Sequence, residues 1–334
     1  MKRKSIIYIV LIVAFIGTLF LSYYYYTKAD YYDAQISKAL SIETSTKTHH
    51  FALITEEMDH EYWNLVGEGA KQAEDSYDVF VEYMGTRGAN PEEQVELIDM
   101  AIAAKVDGII VQAIRDEVFD PMIDKAINQG IPVITVDSDS PTSSRLAYIG
   151  TDNYQSGRMA GEALINDNNG EAVVGIITNS VTSSSQNLRV KGFEDALADA
   201  EGIEVVTIEE SSNSRVIAAQ KTDMILTEYE HINAFFGTSA LDGLGISASI
   251  QERDQKDDIY IIAFDALDET LKLLEDEKID AVVSQQPFQM GFQSVELMLD
   301  IINERPVEEV THTGTDIIRK ADIKHFNKRL GGLR

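Results

Sequence analysis

The chain has 334 residues, 44% of them hydrophobic and 25% charged, which is ordinary globular composition with room for two domains. Its 56 Asp and Glu outnumber 28 Lys and Arg, for a formal charge of −28, and the first 49 residues hold more base than acid, so the remainder is more acidic still. Such a field repels phosphate backbones and anionic lipid, and the lack of any cysteine excludes disulfides, thiolate metal sites, cysteine nucleophiles and a lipid-modified cysteine anchor.

In chain order, Lys2, Arg3 and Lys4 precede an apolar run over 6–21 and four tyrosines at 23–26. The run with its tyrosines is about 20 residues, the length that crosses a hydrocarbon core. Basic residues on the near side and an aromatic belt on the far side set the orientation. This predicts a single-pass transmembrane helix through residues 6–26 with the rest of the chain outside the cytoplasm. A cleaved signal peptide is the rival reading, but bulky tyrosines stand where a small-x-small cleavage site belongs. Residues 27–48 read as a polar tether.

Short apolar runs then alternate with amphipathic stretches. Strands are predicted at 51–55, 79–83, 108–112 and 132–136, with helices at 62–73, 91–105 and 118–129 between them. Asn90 and Pro91 suit a helix start, and Gly130 suits a helix end. The rhythm restarts with strands at 172–178, 204–208, 234–238, 259–264 and 281–284 and helices at 154–165, 186–200, 216–229, 241–251, 267–275 and 290–303. This is βαβ logic, and so many parallel strands exceed one comfortable sheet, which implies an α/β chain with two lobes.

Open α/β sheets bind ligands beyond the C-terminal ends of their strands. The residues there are rich in Asp, Asn, Gln, Ser and Thr, among them Asn213, with Tyr62 and Trp63 after the first strand. Planar polar groups pair with hydroxyls and aromatic faces stack on sugar rings, so the set suits an uncharged polyol. Asp137 and Asp265 each close a strand that reads apolar and then Asp, one in each half. A strand-end Asp is as often a turn or cap residue; the repetition in both halves favours function. Asn187 and Arg189, near a helix start, are compatible with plain surface, and Ser/Thr-rich 182–185 with a solvated loop. No G-x-S-x-G elbow, P-loop, complete dinucleotide fingerprint, calcium loop or zinc-ligand spacing of histidines occurs, so no catalytic centre, cofactor or metal is predicted.

These residues resemble the type I periplasmic binding proteins of the ribose/galactose class, which share their fold with lac-repressor-type regulators. The most specific stretch is Gly130-Ile131-Pro132-Val133-Ile134-Thr135-Val136-Asp137, followed by Ile149-Gly150-Thr151-Asp152-Asn153 with Gly157, Ala160 and Gly161. Further matches are Glu61-Tyr62-Trp63 with Gly67, Gly69 and Ala70, then Lys191-Gly192-Phe193, Ala263-Phe264-Asp265, and Gln285-Gln286-Pro287 with Gln289 and Gly291. The likeness covers about residues 50–325. It implies two Rossmann-like lobes with parallel sheets, joined by three hinge crossings near Thr151, Gln285 and Gly314. The division it implies is 1–26 stub and anchor, 27–48 tether, 49–151 with 286–314 as the N-terminal lobe, and 152–285 with 315–330 as the C-terminal lobe.

By the resemblance, Tyr62 and Trp63 stack on the ligand, His60 is the polar group before them, and Asp137, Asp265 and Gln285 grip hydroxyls. Ser138, Asn187 and Ser239 stand where ribose-type members carry Arg, Arg and Asn, which points away from ribose itself. The function implied is a membrane-tethered extracytoplasmic receptor that closes on a monosaccharide for an ABC permease or a sensor histidine kinase. A transcription regulator on this fold needs a basic DNA-binding segment where the apolar run stands. An enzyme or a structural envelope protein on the same fold is the alternative.

Overall fold

A computed structural model describes residues 48–330 except 89 and 255. The expected span at 6–26 and all but the last residue of the tether lie outside the described residues. Among the described residues no helix is long and apolar enough to cross a membrane.

Among the described residues twelve strands form two six-stranded sheets. In the N-terminal sheet the order is β11 (Val310–Thr313), β5 (Ala147–Thr151), β4 (Val133–Val136), β3 (Gly108–Val111), β1 (His49–Thr55) and β2 (Val79–Gly85), every pair parallel. The C-terminal sheet runs β12 (Asp316–Arg319), β10 (Ala281–Ser284), β9 (Tyr260–Phe264), β8 (Ala234–Gly237), β6 (Ala172–Thr178) and β7 (Ile203–Glu210). Here β12 is antiparallel to β10, so this sheet is mixed rather than parallel throughout. The central strands β3, β4 and β10 are buried along their whole length, because helices cover both faces.

In the first lobe, α1 (Glu61–Tyr77) and α9 (Pro287–Ile302) cover one face, with Val66, Met290, Val295 and Met298 in its core. Helices α2 (Pro91–Ala104) and α3 (Asp116–Asn128) cover the other with Ile98, Ile102, Phe119 and Ile123. In the second lobe, α4 (Asn153–Asp167) and α5 (Ser184–Leu197) lie on one face, with Leu164, Phe193 and Leu197 buried beneath. Helices α6 (Arg215–Glu228), α7 (Ala240–Glu252), α8 (Asp268–Glu275) and α10 (Ile323–Leu330) fill the other face. The chain passes between sheets three times, from β5 to α4, from β10 to α9 and from β11 to β12.

Helix α4 approaches α5 through glycines. A Cβ at Gly157 would collide with the carbonyl of Arg189, and one at Gly192 with the carbonyl of Tyr154. This contact brings the start of α5 against the β5–α4 crossing, where the site lies.

Three strands, β5, β11 and β12, and the helix α10 were not among the predicted elements. β11 and β12 are edge strands reading Val-Thr-His-Thr and Asp-Ile-Ile-Arg, and an edge half open to water needs no apolar run. β5 is buried, yet its Gly150 and Thr151 blur the pattern. Nor are residues 182–185 a solvated loop throughout, since Ser184 opens α5 and Ser185 is buried.

Candidate functional site

Both sheets point the C-terminal ends of their strands into the gap between the lobes. Asp137 directly follows β4 and Asp265 directly follows β9, and both residues adopt left-handed backbone, φ 65° and 68°. Each N–H donates across to the next strand, Asp137 to the Ile149 carbonyl and Asp265 to that of Val283, both at 2.9 Å. The turn forces each carboxylate out of the sheet and into the gap. The non-glycine residue in this conformation costs stability, and its repetition in both lobes marks a shared constraint at the site.

Around Asp137, the Tyr62 hydroxyl donates to Oδ1 at 2.5 Å and Ser138 Oγ to Oδ2 at 3.3 Å. Gln112 Nε2 lies 3.5 Å from Oδ2, and its Oε1 accepts from the Glu56 N–H at 3.0 Å. Gln94, wholly buried, holds Gln112 by donating to its carbonyl at 2.8 Å. Burial pushes the Asp137 carboxyl up, although the Tyr62 hydroxyl and the Arg189 charge oppose the rise. The Glu56 carboxyl is pushed up to about 7, mainly by burial and then by the charge of Asp137. Tyr62 and Trp63 pack edge to face at 5.1 Å, buried on one side by the lobe's core and open to the gap on the other.

On the opposite wall, Gln285 Nε2 donates to Asp265 Oδ1 at 2.6 Å. The Gln285 Oε1 in turn accepts from Thr151 and from Arg189, the latter at 3.1 Å. Arg189 also donates to Asn153 Oδ1 and to the Thr238 carbonyl, each at 2.8 Å, and its guanidinium lies 3.9 Å above the Phe264 ring. One buried cation thus frames the second carboxylate and ties it to two of the three crossings.

A cavity of about 300 Å³ lies between these walls, at the lower end of the range for small-molecule sites. His60, Tyr62, Trp63, Asp137, Ser138, Asn213, Ser239, Asp265 and Gln285 all line it. Two of these also have structural duties. His60 Nδ1 accepts from the Tyr62 N–H at 3.2 Å as the cap of α1, and Ser239 caps α7 while donating to the buried Asp242 at 2.7 Å. Asn213 follows Ser212 in a left-handed turn after β7.

Asn187 does not belong to the set. It is exposed, and its side chain donates to the Val181 carbonyl at 3.0 Å. Arg189, two positions on and compatible with plain surface from the sequence, is instead buried. Glu56, Gln112 and Gln186 also line the cavity without having been singled out. A signal for Arg189 did exist: Gln186, Arg189, Phe193 and Leu197 follow helical spacing, and the last two are plainly core.

Five carboxylates (Glu56, Glu57, Asp137, Glu210 and Asp265) and two guanidiniums (Arg115 and Arg189), with amide and hydroxyl groups between them and two aromatic rings at the side, can accept and donate many hydrogen bonds to a polyhydroxylated ring. Both cations are already engaged, Arg115 with Glu92 and Arg189 with Asn153, Thr238 and Gln285, so the lining favours a neutral ligand over an anion. Among the described residues no group of three or more His, Cys, Asp or Glu is placed to hold a metal ion.

Comparison with known proteins agrees with this geometry. The family model for the periplasmic binding protein domain matches residues 51–306. Among solved structures, the chain is 46% identical to GanP, a glucose-galactose binding protein from Geobacillus stearothermophilus, with a TM-score of 0.81 over 83% of this chain and 99% of that one. A chain solved as the XylFII-LytSN complex is 32% identical, with a TM-score of 0.77 over 82% of this chain and 99% of that one. The D-ribose/D-allose-binding protein of Pseudomonas aeruginosa is 22% identical over 295 residues, 82% of this chain and 92% of the relative.

Proposed function

The chain belongs to the periplasmic binding protein family, in its ribose-class sugar-binding branch, and from that premise we propose that it is an extracytoplasmic receptor whose two lobes close on a neutral monosaccharide. It is a sugar-binding protein of the ABC-transporter type and not an enzyme. The observation that carries the ligand reading is the pair Asp137 and Asp265, each turned by left-handed backbone toward one cavity from opposite lobes. A ligand bridging both carboxylates contacts both walls only when the gap is closed, which couples binding to closure. The ligand-binding set is His60, Tyr62, Trp63, Asp137, Ser138, Asn213, Ser239, Asp265 and Gln285, extended by Glu56, Gln112 and Arg189. A hexose fits better than ribose, given Ser138 in place of a long cation and 46% identity to a glucose-galactose binding protein.

Residues 6–26 hold the receptor to the membrane, and a membrane protein receives the message. An uncleaved anchor favours reporting to a sensor histidine kinase over delivery to an ABC permease. The similarity to XylFII, solved together with LytSN, supports a receptor that works in complex with a second protein.

The test is a thermal-shift and calorimetric screen of the purified receptor against pentoses, hexoses, polyols and sugar phosphates. At least one neutral sugar should raise the melting temperature. At 100-fold excess over Kd the gain is about 2.7 kcal/mol. A shift with charged metabolites alone defeats the sugar reading. Trp63→Ala should weaken the binding by about 1–3 kcal/mol through its lost stacking face.

A further inference from the structure

Helix α8 begins at Asp268, three residues after the strand-end Asp265, and its N-cap residue is Leu267, whose side chain has no oxygen to offer. Helices α2, α4, α6 and α7 are capped by their own Asn90, Asp152, Ser214 and Ser239. The acceptor at α8 comes instead from the other lobe. Glu61 Oε1 accepts from the Asp268 N–H at 2.9 Å. Glu61 is itself the first residue of α1, so its carboxylate lies at two helix N-termini, where aligned peptide dipoles favour negative charge. Beside it Leu267, only 7% exposed, packs into the core cluster of the N-terminal lobe with Tyr62, Val66 and Met290. Glu61 is not among the residues lining the 300 Å³ cavity; it lies beside it, in a second cavity shared with Tyr62, Asp265 and Gln285.

We propose that Glu61 is a positioning residue for closure, its carboxylate capping a helix of the opposite lobe so that the two walls of the site are held together by the protein's own contacts. Opening withdraws the acceptor from α8, hands its N–H groups to water and exposes Leu267. Binding then starts from a population already biased toward the closed form. The proposal rests on the reading of the chain as a two-lobed receptor that closes, and not on which sugar it takes.

The chain has no cysteine, so two introduced ones report the inter-lobe distance without background. Glu93→Cys and Val181→Cys place spin labels beside Pro91 and Thr182, which line opposite sides of the cavity mouth. Pulsed EPR on the full chain in detergent, with no sugar added, gives the distribution of distances. Glu61→Ala should lower the closed-to-open ratio roughly 5- to 10-fold, the size of a lost helix cap. Glu61→Lys should open the cleft further, because an ammonium is repelled by both helix ends, and Glu61→Gln should lie between wild type and Ala because its amide oxygen still accepts. Gln also preserves the side chain's bulk, and circular dichroism confirms that each variant is folded. Identical distributions in all four proteins overturn the proposal, as does a Gln variant as open as the Lys variant. Because no ligand is present, a failed sugar screen leaves this result untouched.

Discussion

Replacing Arg189 by methionine removes three donors from the middle of the second wall. The side chain is 4% exposed, and it serves Asn153 Oδ1, the Thr238 carbonyl and Gln285 Oε1. Gln285 keeps its donor from Thr151, so two acceptors are stranded without this donor. At about 1–3 kcal/mol for each unsatisfied buried group, the loss of stability is about 2–6 kcal/mol. Losing the guanidinium also takes away the cation that offsets the charge of Asp137. With Gln285 held at its oxygen by Thr151 alone, Asp265 is less firmly directed, and sugar affinity should fall by about two orders of magnitude. Arg189→Lys retains the charge but cannot span three acceptors arranged for a planar fork, and should sit between the two, at about 1–3 kcal/mol. The assay pairs urea denaturation with calorimetric titration of the sugar that the screen identifies. A methionine variant that unfolds at the wild-type midpoint and binds with wild-type affinity refutes the view that this network frames the site.

Tyr62→Phe keeps the ring against Trp63 and removes only the donor to Asp137; affinity should drop by roughly 1–2 kcal/mol by calorimetry, with an unchanged circular dichroism spectrum. The Asp242 carboxyl is fully buried under Ser211, Thr238 and Ser239 and is pushed up to about 7 by burial. Between about pH 4 and 7 the folded chain therefore keeps a proton that the unfolded chain has released, so stability is greatest at the acid end and declines as pH rises through this window. Glu56 acts in the same sense. Urea midpoints measured from pH 5 to 8 should fall for the wild type and fall less for Asp242→Asn combined with Glu56→Gln; equal slopes in both proteins contradict the burial argument.

The parts of the molecule that were legible in advance are those whose physics is local. β3, β4 and β10 are buried on both faces, so their Val and Ile runs stand out. Asp137 and Asp265 were legible as a pair because both lobes use the same apolar strand followed by an acidic residue. Their left-handed backbone, which aims them, left no trace in the residue type. Arg189 was misread because a charged residue near a helix start is usually solvated, whereas here the glycine contact of α4 with α5 sinks it onto Phe264. The α4 side of that contact, Tyr154 and Gly157, lies 35 and 32 positions from Arg189, so the helical spacing with Gln186, Phe193 and Leu197 was the local sign of its burial. The edge strands β11 and β12 have polar residues facing water, and only their partners β5 and β10 make them strands.

The way β11 completes the first sheet bears on how the protein is made. Thr313 hydrogen-bonds to the Gly150 carbonyl across 163 residues of chain, and α9, which covers Val66 and Ala70, begins only at Pro287. A polypeptide emerging N-terminus first therefore carries a first lobe with an unpaired strand and a bare apolar helix face until nearly its whole length has appeared. Loop closure over such a separation is slow, and an open strand edge invites pairing with other chains. A chain cut short before residue 287 should be an aggregation-prone fragment and not a stable half, and the interval between synthesis of β5 and arrival of β11 is when a chaperone has most to protect.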